Sequence, residues 1–323
     1  MADRLDPPDL LVEHVDHRGV RTRVTRVRAG EAAGAPSFVL VAGVGVAATY
    51  FEFLAPALAL RGDVYALDLP GFAGMPRPAE QPTADFFADH VEAVLDHYEL
   101  DDPVLIGHSM GTQVVTEVLA RRSRLTRAVL VSPVVNEAEP GALVQAIRFA
   151  QSATRESLHL AMTALSAYVL CGAVYFLTVL PHMLRYRLTE RIRLADADIL
   201  LIRGEFDRSS PRRFHSRLVA ATPTASRWEI EGAAHSVINA HAIGVARLTL
   251  AHLDGSLAPK GRMRSEEAEL PPAKATDVGM FREAVLSRAR EWISAFRGDE
   301  NGVARAKMQH ARVLWRAYSP RRS

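Results

Sequence analysis

The sequence predicts a doubly wound, mostly parallel α/β sheet with an inserted helical cap and a C-terminal helical extension. Three observations predict it. Short apolar runs of strand character alternate with helical stretches along most of the chain. Gly107-His108-Ser109-Met110-Gly111 sets a serine on a tight turn, between the apolar run Val104-Leu105-Ile106 and a helical run from Gln113. A long, nearly uncharged insertion interrupts the alternation, which then resumes.

The elements follow in order. Residues 11–28 alternate in polarity around His17-Arg18-Gly19, the pattern of an antiparallel hairpin. Residues 38–41 are a short buried strand, 50–60 a helix and 64–67 a strand. Thr83 is a suitable N-cap for a helix to about His97. The Val104 strand, its helix and a strand over 128–131 come next. Beyond the insertion lie a strand around Ile199, a helix over 214–221, a strand around Trp228 and a helix over 237–253. The expected division is 1–133 and 198–254 for the two parts of the core, 134–197 for the cap and 255–323 for a linker plus basic helices.

Composition narrows the function. A chain of 323 residues with 48% hydrophobic side chains can bury a sizeable core. A net charge of +2 gives no bulk attraction for nucleic acid. A lone cysteine, Cys171, excludes an internal disulfide framework and a cysteine-cluster metal site. The stretch 1–8 has no apolar signal core, so the expected location is cytoplasmic. Charge divides unevenly, because residues 256–323 hold 14 Lys and Arg against 8 Asp and Glu, leaving an acidic body.

A G-x-S-x-G turn alone fits an ordinary strand-to-helix junction. As a nucleophile elbow it needs partners, because a serine hydroxyl requires a base within reach and a third group to orient that base. Two loops offer them. Asp207 ends the run Gly204-Glu205-Phe206 after a buried strand, and His235 follows Gly232-Ala233-Ala234 after the next strand. Both lie past the carboxyl ends of their strands, where open α/β sheets hold their sites. Asp207 could equally cap the helix after Pro211, and Glu137 and Glu139 offer a second location for the acid. His108, beside the nucleophile, is expected to pack and orient rather than act as base. Glu205 is expected to face solvent or accept a local hydrogen bond.

With Ser109, Asp207 and His235 in that order, and Asp68-Leu69-Pro70-Gly71-Phe72 after an earlier strand, the chain resembles the α/β-hydrolase superfamily over roughly residues 15–253. The resemblance implies the α/β-hydrolase fold, with Ser109 as nucleophile, His235 as general base and Asp207 as orienting acid. It also implies an oxyanion hole from the backbone N–H groups of Met110 and of Val44 in Ala42-Gly43-Val44-Gly45-Val46. Ala42 stands where the family's His-Gly pattern has histidine. No metal or organic cofactor is implied.

The insertion is where this superfamily carries its cap. Residues 157–184 hold no Asp, Glu, Lys or Arg, and 161–180 would be long enough to span a bilayer. A span there would split the sheet, so the expectation is one or two cap helices forming an apolar lid, with Pro181 kinking or ending one of them. In the basic stretch after it, Arg185, Arg187 or Arg191 could meet a substrate carboxylate. In the tail, one helix aligns Phe281, Val285, Arg288, Trp292 and Phe296, Asn301-Gly302 interrupts, and a second aligns Ala304, Met308, Ala311, Trp315 and Tyr318. This hairpin docks on the body or on a second subunit, or lies as a basic amphipathic surface on anionic lipid.

The expected function is therefore a serine hydrolase of an ester or thioester bearing an apolar acyl or alcohol group. Its partner is a small apolar ester-like molecule rather than nucleic acid, with peripheral membrane contact and a homodimer left open. Hydrolysis of a carbon–carbon bond in a vinylogous diketone acid uses the same three side chains and stands as the alternative, followed by a non-enzymatic receptor. An epoxide hydrolase or dehalogenase would place aspartate where Ser109 stands.

Overall fold

A computed structural model describes residues 9–29, 35–154, 170–222, 224–268 and 278–318. The stretch 1–8, residues 161–169 of the apolar run, residues 269–274 of the expected linker and the last five residues lie outside them. Side-chain surroundings of Phe281, Trp315 and Tyr318 lie outside as well.

Among the described residues the sheet has nine strands: β1 (Leu10–His17), β2 (Val20–Val27), β3 (Phe38–Val41), β4 (Val64–Asp68), β5 (Val104–His108), β6 (Arg127–Val131), β7 (Asp198–Gly204), β8 (Ser226–Ile230) and β9 (Lys260–Met263). Their order is β1-β2-β4-β3-β5-β6-β7-β8-β9. β1 and β2 form the expected hairpin, with Arg18 and Gly19 at positive φ in its turn, and β2 runs antiparallel to β4. From β4 to β9 every neighbouring pair is parallel. β3, β4 and β5 are buried along their whole length, as parallel strands covered on both faces must be.

Successive side chains point to opposite faces, so the strands feed two cores. Val39, Leu67, Leu105 and Leu201 pack on one side, against helices α2 (Ala84–His97) and α3 (Met110–Arg121). Leu40, Ala66, Ile106 and Ile202 pack on the other, against α1 (Leu54–Leu58) and residues of Ala242–Leu253. Thr83 caps α2, its Oγ1 accepting from the Phe86 N–H at 3.1 Å.

Several boundaries move. Residues 50–60 divide into a 3-10 turn, Ala48–Phe51, and α1. Residues 237–253 break at His241 into Val237–Ala240 and Ala242–Leu253. The expected linker is not all linker, because β9 extends the sheet from within it. β9 has only four residues, two of them charged, too short and too polar to stand out as a strand by pattern.

The insertion between β6 and β7, the expected cap, contributes α4 (Ala142–Ala153) and α5 (Ala173–Arg185). α5 continues past Pro181 to Arg185 rather than ending there. Its Tyr175 hydroxyl donates to the Pro70 carbonyl at 3.0 Å, and the ring packs edge-on to Phe72. Gln113 Nε2 donates to the carbonyls of Val134 and Met183, each at 2.9 Å, tying both ends of the cap to α3. Among the described residues no helix is long and apolar enough to cross a membrane.

The tail forms a hairpin of α11 (Val278–Phe296) and α12 (Glu300–Tyr318), α6 to α10 being the short and core helices Leu188–Arg191, Arg212–Ala221, Val237–Ala240, Ala242–Leu253 and Ser265–Ala268. The break lies at Gly298, φ 67°, and Asn301-Gly302 sits inside α12 instead. The inward faces also differ from the apolar alignment. Ser287, Glu291 and Ala295 are buried on α11, and Val303, Ala306, Lys307, His310 and Val313 on α12. Val285 and Phe296 are exposed. Charge explains the rotation. Arg23 donates to Asp68, to the Ala73 carbonyl and to Glu300, Lys307 lies 3.4 Å from Asp68 and 3.5 Å from Glu291, and Glu52 receives Arg288 and His310. An apolar-stripe rule turns the wrong face inward when a buried ionic network does the docking.

Candidate active site

Ser109 sits between β5 and α3 with φ 54° and ψ −121°. That backbone is costly for a residue with a Cβ and persists only where its surroundings impose it. The Ser109 N–H donates to the Val131 carbonyl at 3.0 Å, and the Thr112 hydroxyl donates to the Ser109 carbonyl at 2.6 Å. Two glycines make room for the turn. A Cβ on Gly107 would stand 2.5 Å from the Gly111 carbonyl oxygen, and one on Gly111 would stand 2.1 Å from that of Val41.

His235 Nε2 is 3.0 Å from Ser109 Oγ, and His235 Nδ1 is 3.0 Å from Asp207 Oδ2. Asp207 is 1% exposed. Its other oxygen accepts from the N–H groups of Ser209 and Ser210, both at 3.0 Å. Burial pushes the Asp207 carboxyl upward, but the neighbouring His235 and Arg203 outweigh burial and hold it well below the usual carboxylate range. An ionised Asp207 only accepts, so Nδ1 of His235 carries the proton and Nε2 is left to accept from the Ser109 hydroxyl.

The alternative acids are engaged elsewhere. Glu137 accepts from the Thr189 N–H at 2.7 Å, and Glu139 pairs with Arg148 at 2.7 Å. His108 fits its expected part. Its Nε2–H donates to the His235 carbonyl at 3.0 Å, and burial with His235 alongside pushes its pKa down to about 3. Glu205 accepts from the Gly232 N–H at 3.1 Å and pairs with Arg262.

The loop after β3 lies against Ser109, since a Cβ on Gly43 would be 3.0 Å from the Ser109 Cβ. Val44 and Gly45 form the next turn, closed by a hydrogen bond from the Val46 N–H to the Gly43 carbonyl. Gly45 has φ 69°, the conformation that the third position of a type II turn requires. Met110 is the first residue of α3, where an amide has no acceptor within its own helix.

Some neighbours of the site carry little sequence signal. Arg203 is a charge in β7 directly after its apolar run Ile199-Leu200-Leu201-Ile202. It donates to the carbonyls of Ser210 and Asp207, both at 2.9 Å, and so props the acid's loop. Phe149 of α4 meets the His235 ring edge-to-face at 5.5 Å, and α4 also takes the Arg208 N–H on its Ser152 hydroxyl at 2.9 Å. The cap arginines stand apart from the site. Arg185 is exposed, Arg187 pairs with Glu190, and Arg191 is bound to the buried Glu117.

The fold and this juxtaposition of hydroxyl, imidazole and carboxylate define a hydrolase of the α/β class. Residues 38–248 match the Alpha/beta hydrolase family, and the chain belongs to it. It is 32% identical over 177 residues to the dihydrolipoyllysine-residue acetyltransferase component of the acetoin cleaving system of Pseudomonas putida. That match covers 54% of this chain and 46% of the relative, so the chain spans under half of that protein's length. The carboxylesterase CesB of Bacillus subtilis superposes with a TM-score of 0.62 at 19% identity, covering 78% of this chain and 94% of the other. The 2-hydroxy-6-oxo-6-phenylhexa-2,4-dienoate hydrolase of Rhodococcus sp. strain RHA1 does so with a TM-score of 0.63 at 15% identity, covering 76% and 99%. At these identities the likeness is one of fold.

Proposed function

We propose that the protein is a serine hydrolase that cleaves a carboxylic ester or thioester bearing an apolar acyl or alcohol group, through an acyl-enzyme on Ser109. The observation that carries it is the continuous chain of hydrogen bonds from Asp207 through His235 to Ser109.

In the first half, Ser109 Oγ forms a bond to the carbonyl carbon as its proton passes to His235 Nε2. Asp207 stabilises the imidazolium without taking the proton. The N–H groups of Met110 and Val44 hold the oxyanion, each donor lowering the barrier by about 3 kcal/mol. The carbon–oxygen or carbon–sulfur bond then breaks, and His235 returns its proton to the leaving group. In the second half, water adds to the acyl carbon with its proton going to His235, and Ser109 leaves with that proton.

The preference for an apolar group rests on Phe149 beside His235, on a cap helix that also presents Leu143, Val144 and Ile147. A p-nitrophenyl ester series tests it. Each methylene buried against such a surface contributes about 0.8 kcal/mol, so kcat/KM should climb over the first several carbons and then level. A series that peaks at acetate and falls steadily contradicts the apolar preference. A strict requirement for a free carboxylate would favour the carbon–carbon hydrolase, against which the engagement of Arg191 by Glu117 already argues.

A further inference from the structure

The last three strands carry a second concentration of charge, on the far side of the acid loop from Ser109. Register sets it out. Arg203 on β7 is opposite Glu229 on β8, and Glu229 is opposite Arg262 on β9. One row below, Arg227 is opposite Lys260. Residues two apart on a strand share a face, so all five project together. Helix Arg212–Ala221 adds Arg212, and a groove of about 510 Å³ opens among these six side chains.

Its lining holds five cations and one carboxylate. Glu229 receives Arg203 and Arg212 directly, with Arg262 3.8 Å away. Arg262 is shared further with Glu205 and Glu231. Among the described residues neither Arg227 nor Lys260 forms an ion pair. Arg227 donates to the Ser216 hydroxyl, and Lys260 is exposed. Two positive charges are therefore left over beside a cavity.

An imidazole completes the wall. His215 lines the groove and is 2% exposed. Its Nε2 meets the Ser210 hydroxyl at 2.9 Å, while Nδ1 has no partner among the described residues. Both ring nitrogens are turned away from the open groove, so the polar contacts left to a ligand there are the cations.

We propose that this groove binds a small multivalent phosphate anion, with Arg227 and Lys260 as its principal charged contacts and Arg212 at its rim. A phosphate oxygen accepts from both nitrogens of a guanidinium fork, and a multivalent anion can reach both strands at once. Arg203 would link such a ligand to the acid loop, because the same guanidinium holds the Asp207 carbonyl.

The test is calorimetric titration of the full chain with inorganic tripolyphosphate at low ionic strength. The expected result is saturable binding at one site per chain. The double variant Arg227→Gln/Lys260→Gln should bind about ten-fold more weakly or worse, since two charge-assisted contacts are lost. Its thermal midpoint without phosphate should match the wild type, because neither side chain forms an ion pair among the described residues and Lys260 is exposed on the edge strand. Protein blocked at Ser109 by a phosphonate should bind as the unmodified protein does, which separates this groove from the hydrolytic site. Absence of saturable binding, equal affinity in the double variant, or loss of binding on blocking Ser109 would each overturn the proposal.

Discussion

His235 Nε2 lies 3.0 Å from Ser109 Oγ, although 126 residues of chain separate the two. The sheet makes the meeting. β5 delivers Ser109 on its turn, β8 delivers His235 in the loop beyond it, and β6 and β7 set the spacing between them. Asp207 arrives from the end of β7, next to the loop it must meet.

Replacement of Ser109 by alanine should reduce ester turnover to background while leaving the unfolding midpoint in place. His235→Ala should cost about 10⁴-fold or more in kcat, because groups that act as a unit fail together. Asp207→Asn should cost somewhat less. Steady-state kinetics with a p-nitrophenyl ester measures all three. Wild-type turnover in Asp207→Asn would remove the carboxylate from the mechanism.

The acid limb of the pH–rate profile should follow a single protonation. Asp207 is held below the ordinary carboxylate range and stays ionised, and His108 is pushed down to about 3 and stays neutral. With His235 as the proposed base, its imidazole alone is then left to lose activity as it gains a proton. A log–log slope near two between neutrality and pH 4 would mean that a second group titrates with it.

Gly111→Ala should destabilise the fold by about 3 kcal/mol, the upper end for forced overpacking, because the new Cβ meets main chain rather than a yielding side chain. Urea denaturation gives the value. A shift under about 0.5 kcal/mol would mean that β3 and α3 can part more easily than their contact implies.

Much of this was legible in the sequence, for identifiable reasons. The strands that form the centre of the sheet are apolar on both faces, so they stand out from composition alone. Ser109 follows β5 directly, while Asp207 and His235 stand in the loops after β7 and β8, so their positions come with the order of the strands. What escaped was set by polar side chains. Arg203 reads as an interruption in β7 until its carbonyl partners are in view, and β9 is paired through its backbone with little help from its side chains. The tail shows the same limit. Its helices are visible by period, but their inward face is chosen by Lys307, Glu291 and Arg288, which no hydrophobic pattern weights.

Removing one member of that network should be expensive. Lys307→Met should cost about 3 kcal/mol in global stability, because it leaves the buried Asp68 and Glu291 short of a partner. The double variant Lys307→Met/Glu291→Gln should recover part of the loss, as residues in one network couple. Equal stability of the single variant and the wild type would mean that the hairpin is held by other contacts.

Acid should loosen the hairpin before it unfolds the body. Burial raises the Glu300 carboxyl, yet His14 and Arg23 outweigh it and hold its pKa down to about 2, against an ordinary 4.5. A depressed carboxylate contributes stability that is present above its ordinary pKa and is lost as the pH falls toward its folded value. Amide exchange in Glu300–Tyr318 should therefore accelerate between about pH 4.5 and 2, and Glu300→Gln should already exchange faster at neutrality. Exchange that stays constant over this window would detach Glu300 from the docking.

The most direct test of the central claim is covalent. Intact-mass and peptide analysis after treatment with a fluorophosphonate should find one adduct per chain, on Ser109, formed much more slowly in His235→Ala and not at all in Ser109→Ala. An adduct on another residue, or labelling of Ser109→Ala at the wild-type rate, would contradict the assignment of Ser109 as the nucleophile.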